Sequence, residues 1–226
     1  MKRIRSSKIT NNSTSHPRKM SKDPLKSKLR RQEVFEAVAR AMSKRRSGDI
    51  TLDEIGSSIG GSKGTIYYYF QSKREMLYQL QMYAFDLIEQ AVNPILNDKT
   101  IAPRERLIRL ITAHVLCICD RWQLWRALRA EAASRGASPG QLRMILRRIR
   151  SYENAVSDLI KELMDIEASS LIEPRTATRL ILGNINSINE WYKKGGGLSA
   201  EEISNYVVNF VFDGFLTKGT INSSTA

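Results

Sequence analysis

Thr51 to Leu77, TLDEIGSSIGGSKGTIYYYFQSKREML, constrains this chain more than any other stretch, because it packs three helix starts and one tight turn into a single segment. Thr51 followed by Glu54 forms a reciprocal capping box. Ile55 and Ile59, one turn apart, give the helix that follows a buried side. Gly60-Gly61 ends it, since glycine adopts the backbone angles that a tight turn demands. Ser62 caps a second helix, whose inward face is marked by Ile66 and Phe70. Ser72 with Glu75 is another capping box and opens a third, longer helix. Two short helices joined by a glycine turn predict a helix-turn-helix.

The second helix indicates what the motif is for. At about 100° per residue, the side opposite Ile66 and Phe70 carries Gly64, Thr65 and Tyr68, flanked by Tyr67 and Tyr69, with Ser62 and Lys63 at its start. A helix entering the major groove needs such a face. Glycine allows close approach, hydroxyls bond phosphates or base edges, and Lys63 reaches guanine acceptors. Lys73, in the first turn of the next helix, is placed for a phosphate. The bland alternative is a helical hairpin whose tyrosines only pack on neighbours.

At these residues the stretch from about Arg31 to Leu77 resembles the DNA-binding segment of the TetR family of one-component bacterial repressors. The resemblance implies that Thr51, Lys63, Thr65, Tyr67, Tyr68, Tyr69 and Lys73 contact DNA. Two departures stand out. Gly61 replaces the valine usual in the turn, and Arg46 replaces the glycine that usually ends the first helix.

At 226 residues the chain has room for a small DNA-binding domain and one larger core. Its net charge of +13 is unevenly spread: residues 1–31 hold eleven bases and one acid, so ten of the thirteen charges lie there. Residues 1–28 are therefore read as a basic, disordered arm, which either follows the DNA backbone or is a passive tail. The apolar runs fall far short of the roughly 18 to 20 residues of a membrane span, and the first residues lack a signal-peptide core. A cytoplasmic protein without membrane contact is expected. Cys117 and Cys119 project about 200° apart on a helix, and the histidines are His16 and His114 alone. No metal or cofactor is expected.

Helical periodicity runs through the rest, so the predicted fold is all-α: a three-helix DNA-binding domain over 29–74 and a larger ligand-binding and dimerisation domain over 75–226. The expected helices run from about Leu29 to Lys44, Glu75 to Leu96, from Pro103, Arg121 to Ser134, Pro139 to Glu167, Arg175 to Lys194, and from Ser199 with Glu202 as a third capping box. On the Pro139 helix, Leu142, Ile145, Leu146, Ile149, Tyr152 and Val156 are expected inward, with Arg143, Arg147, Arg148 and Arg150 beside them. The last two helices are amphipathic around Gly195-Gly196-Gly197 and suit a four-helix bundle with a second copy. Ile181, Ile188, Val207, Phe210 and Val211 are its expected contacts.

Three function classes compete: a ligand-responsive repressor, an effector-independent DNA-binding protein, and a helical enzyme. The enzyme lacks support, since catalysis needs a base beside a nucleophile, a carboxylate pair or converging metal ligands, and none is evident. Residues beyond the motif exceed what dimerisation alone requires, which favours an effector cavity. Ile181 to Phe215, with Asn189-Glu190-Trp191-Tyr192 and the glycine run, together with Arg150-Ser151-Tyr152-Glu153, resembles a TetR subgroup that senses acyl-CoA thioesters. That implies an apolar tunnel near Trp122, Trp125, Leu128, Ile149 and Tyr152, and phosphate cations among Arg126, Arg129, Arg143, Arg147 and Arg150. An uncharged apolar metabolite or drug is the alternative effector. The partners so implied are a double-stranded operator, a second copy and a small molecule.

Overall fold

The computed structural model describes residues 24–44, 51–58, 63–130, 137–167 and 172–215. The arm up to residue 23, Arg46, and Ile59, Gly60, Gly61 and Ser62 of the expected turn lie outside the described residues. α1 (Pro24–Ser43) begins on a proline, ahead of the expected start at Leu29, so part of the presumed arm is helix. Proline suits a first turn because its missing N–H would be unpaired there anyway. Phe35, Val38, Ala39 and Met42 form the buried face of α1, with Val34, Ala37 and Ala41 half-buried beside them.

α2 (Leu52–Ser58) starts at the Thr51 box: Glu54 N–H donates to Thr51 Oγ1 at 3.2 Å and Thr51 N–H to Glu54 Oε2 at 2.8 Å. α3 (Lys63–Tyr69) follows, with Ile66 and Phe70 wholly buried against Phe35, Val38 and Ile55. Burial of each such side chain stabilises by roughly 1.5–3 kcal/mol. Ser72 caps α4 (Lys73–Asn97), but only half of the expected box is built. Its Oγ accepts from Glu75 N–H, while the Glu75 carboxylate accepts from Gln79 and Gln141 instead.

α4 joins two cores. Met76, Leu77, Leu80, Tyr83 and Ala84 belong to the core of α1–α3, and Ile88, Val92 and Leu96 to the second. In its outer half the buried stripe is Ile88, Val92 and Leu96; Leu87, Ala91 and Ile95 lie one residue off it and are half-buried. α5 (Pro103–Asp120), α7 (Pro139–Glu167), α8 (Pro174–Trp191) and α9 (Ala200–Asn209) complete the second core, and α9 runs on into a π-helical turn, Phe210–Phe215. The Ser199–Glu202 box at the start of α9 is complete. Gly195, at φ +80°, makes the left-handed step that turns the chain after α8.

α6 (Trp122–Ala130) packs against α1, and its Leu124, Ala127 and Leu128 complete the first core. Leu128 is thus a core residue, not a tunnel residue. The first core consequently draws on residues beyond 74, where the sequence placed the domain boundary. Arg106, in the first turn of α5, is wholly buried, a position the sequence did not single out. It pairs with Glu162 of α7 at 2.5 Å and donates to the Ile101 carbonyl at 3.1 Å, fastening the loop after α4 to the bundle. Cys117 and Cys119 are free, and burial pushes both thiols up to about 11. Among the described residues there is no strand, and no helix is long and apolar enough to cross a membrane.

Candidate nucleic-acid interface and effector cavity

With Ile66 and Phe70 turned inward, α3 shows Tyr67 and Tyr68 outward, and Tyr68 is 63% exposed. Tyr69 is half-buried and packs on the first core, its ring 6.3 Å from that of Phe70 and edge-on to Tyr68 at 5.3 Å. Thr51 is exposed at the start of α2, and Lys73 is half-exposed in the first turn of α4. Ser62 lies outside the described residues; Lys63, Gly64 and Thr65 lie within α3, though their side chains are outside the description. The outer surface of α3 therefore presents two tyrosines, whose hydroxyls suit a groove-reading helix.

Behind it, between α4, α5, α6, α7 and α8, lies a cavity of about 120 Å³. Phe85, Ile88, Trp125, Ile149 and Leu182 give it apolar walls, with Tyr152 and His114 at one side. The Tyr152 hydroxyl and His114 Nδ1 are 3.1 Å apart. Burial pushes the His114 imidazole down to about 4 and the Tyr152 phenol up beyond its ordinary range, so the pair is neutral. Trp125 Nε1 is buried and has no hydrogen-bond partner. Arg148 closes the α4 side: it donates to Glu89 Oε1 and Asp86 Oδ1, each at 2.8 Å, and to the Met82 carbonyl at 3.3 Å. Its guanidinium also lies 5.3 Å from the Phe85 ring centre.

One turn further along α6 and α8 is an open cleft of about 290 Å³, lined by Arg126, Arg129, Lys193 and Glu190 among others. Arg129 and Glu190 are 3.3 Å apart. Of the residues expected around an effector, Trp125 and Tyr152 meet in the cavity and Arg126 and Arg129 in the cleft. Trp122 and Arg147 line neither, and Arg147 is exposed. The sequence missed Phe85, Leu182 and Asn186; the last two are four apart on α8, a spacing that marks one face without saying what it looks onto.

The expected dimer contacts need correcting. Ile181, Ile188, Val207 and Val211 are buried within the chain's own second core and present nothing to another copy. Phe210 alone of that set is outward, 54% exposed, and Tyr206, Leu180 and Trp191 are exposed on the same two final helices. The sequence showed a stripe wider than one neighbour requires; its inner half is core and its outer half is surface.

A buried-backed short helix on a three-helix head, carried on an all-α body with a cavity, defines a DNA-binding transcription factor and not an enzyme. The chain belongs to the TetR family: residues 36–80 match the bacterial regulatory proteins of the tetR family, and residues 100–215 match the tetracyclin repressor-like C-terminal domain. It is 25% identical over 189 residues to the HTH-type transcriptional repressor KstR2 of Mycolicibacterium smegmatis (strain ATCC 700084 / mc(2)155), a match spanning 82% of this chain and 90% of that one. Among solved structures, the ketosteroid transcriptional regulator KstR2 of Mycobacterium tuberculosis superposes with a TM-score of 0.73 at 25% identity, over 82% of this chain and 94% of the other. AibR, solved with isovaleryl coenzyme A and operator DNA, shares the fold with a TM-score of 0.69 at 21% identity, over 81% and 98%. Members of this family bind operator DNA as dimers.

Proposed function

We propose that the protein is a ligand-responsive repressor that holds a palindromic operator as a homodimer and is released by an acyl-CoA thioester. The observation that carries this reading is the pairing of two unlike hollows on α6 and α8: an apolar cavity, and beside it a cleft with Arg126, Arg129 and Lys193. An acyl group needs the first and the phosphates of coenzyme A need the second. The inner end disfavours an anion, since Glu89 and Glu153 line it and the Arg148 guanidinium is taken up by Asp86 and Glu89. The charged end of the ligand thus faces the cleft. The ketosteroid regulator KstR2, a relative over most of both chains, supports a ring-bearing acyl group.

In the DNA-bound form, each α3 presents Thr65, Tyr67, Tyr68 and Lys63 to a major groove, with Thr51 and Lys73 on the flanking backbone. Two copies reach half-sites about 34–36 Å apart or a multiple of that. A cavity near 120 Å³ holds little more than a six-membered ring. A larger acyl group must part α4 from α7 and α8, and α4 carries the DNA-binding head. Such a ligand binds the widened state better, which is the differential affinity that release requires.

The second reading, an uncharged apolar effector, is favoured by the pairing of Arg129 with Glu190, which leaves less charge for a phosphate. A DNA-release titration with matched acyl-CoA and free-acid pairs, on a fragment from the gene's own upstream region, separates the two. The thioester should release DNA at least about tenfold more readily than the acid, a margin of 1.4 kcal/mol. Equal potency would leave the uncharged ligand. In the same assay Tyr68→Ala or Lys63→Ala should lose specific binding while the fold is kept; unchanged affinity would remove α3 as the reading helix.

A further inference from the structure

Two walls of the cavity change from apolar to polar within one helical turn. Ile149 gives way to Glu153 along α7, and Leu182 to Asn186 along α8. Asn186 is exposed and open to water, whereas Glu153 is half-buried. The other ionisable groups of the lining are engaged. Arg148 donates to Glu89 at 2.8 Å, and Tyr152 and His114, both neutral, face one another at 3.1 Å. Among the described residues, Glu153 has neither a hydrogen-bond donor nor a cation as partner.

We infer, taking the cavity as the effector site proposed above, that its ligand carries an uncharged hydroxyl that donates to the Glu153 carboxylate. A carboxylate only accepts, and an occupant that fills the hollow takes away the water on its inner side. A hydrocarbon leaves that charge bare, which is costly. A ketone or ester sets one acceptor against another. Glu153 thereby selects acyl groups that bear a donor over those that do not.

Charge decides against the ionic alternatives. A ligand carboxylate or phosphate at this point meets Glu89 and Glu153 on the same lining. An ammonium meets Arg148, whose guanidinium already lies 5.3 Å from the Phe85 ring centre, where a cation would seek that ring. Ile88 and Leu182 add apolar wall, so a single ring bearing a hydroxyl suits both the lining and the volume of about 120 Å³.

The test uses the full-length protein with ¹³C-labelled isoleucine methyls, the cavity signals being assigned through Ile88→Val and Ile149→Val. Cyclohexanol, cyclohexanone and cyclohexylamine (an ammonium at neutral pH) are titrated separately. Cyclohexanol should move both signals and bind about tenfold more tightly than cyclohexanone, or about 1.4 kcal/mol, as a hydrogen bond to a charged group contributes. In Glu153→Gln, whose amide donates as well as accepts, the ketone should gain until the two bind within about twofold of each other. Tighter binding of cyclohexylamine than of cyclohexanol overturns the inference in favour of a cation site. Equal binding of alcohol and ketone to the wild type removes Glu153 as the determinant, without reference to any variant, and leaves the cavity as a ligand site. Ile88 and Ile149 signals that no probe moves overturn the hydroxyl and the effector cavity together. If cyclohexanol passes while no acyl-CoA releases DNA, the coenzyme reading falls and Glu153 stands as the donor-selecting residue.

Discussion

His114 lies on the inward side of α5 with its Nδ1 facing Tyr152, and desolvation holds its imidazole near 4, against an ordinary value of 6.5. The sign of the consequence follows from proton counting. Between about 6.5 and 4 the unfolded chain takes up a proton at this residue and the native chain does not, so stability falls as the pH is lowered through that window. The full effect is on the order of 3 kcal/mol. His114→Gln, neutral throughout, should show a flatter dependence of melting temperature on pH from 6.5 to 4.5. Parallel curves for the two proteins would show that the histidine is protonated in the folded state. Helical spacing puts His114 on one face with Leu110, Ile111 and Val115, but its partner lies 38 residues away on α7. Periodicity gives a side chain's direction and is silent about what meets it. Arg106 shows the same limit more sharply. Nothing local separates it from Arg104 or Arg109, yet it alone of the three is wholly buried, because Glu162 and two carbonyls happen to surround it.

α7 grips α4 at two levels. Gln141 donates to Glu75 at 3.1 Å near the base of α4, and seven residues on Arg148 reaches Met82, Asp86 and Glu89. The two helices therefore run in the same direction, and the grip spans the point where α4 passes from one core to the other. The sequence set four arginines beside the apolar face of this helix and offered Arg143, Arg147 and Arg150 for phosphates; Arg148 is instead held by α4. Only α4's acids distinguish it, and they lie about 60 residues earlier in the chain. The same geometry explains why Leu142 and Leu146, expected inward, are half out of the core: α7 begins beyond the second core's edge, and its buried series starts only at Ile145 and Val156. Arg148→Met keeps the aliphatic stem and removes the charge-assisted bonds, which contribute about 1–2 kcal/mol once the exposure of Asp86 is allowed for. Amides 82 to 92 should then exchange faster than in the wild type, while those of α5 stay unchanged. Identical exchange along α4 would mean that apolar packing alone fixes this helix.

For the whole molecule, what could be read in advance was the order of elements: capping boxes at Thr51 and Ser199, prolines at Pro103 and Pro139, and the glycine stop after α8 all fall where the helices start and end. The assignment of faces could not be read, because an apolar stripe looks the same whether it meets its own chain or a second copy. The last two helices make this concrete. Val207 and Val211 are buried among α5 and α8 residues, whereas Tyr206 is 58% exposed and Phe210 54%. Leu180 and Trp191 are likewise exposed on α8. Operator recognition by a twofold dimer asks for a self-complementary patch, and we propose Tyr206 and Phe210 as the apolar part of one. Two arginine substitutions at adjacent positions, one outward and one inward, should therefore fail in different ways. Val207→Arg places an unpaired charge in the core, at a cost of several kcal/mol, so the chain should lose its cooperative melt. Tyr206→Arg leaves the core untouched and places a charge on the proposed dimer face. It should melt as the wild type monomer unit does, sediment at half the mass, and bind a single half-site weakly. A Tyr206→Arg protein that still sediments as a dimer would place the interface elsewhere on the molecule.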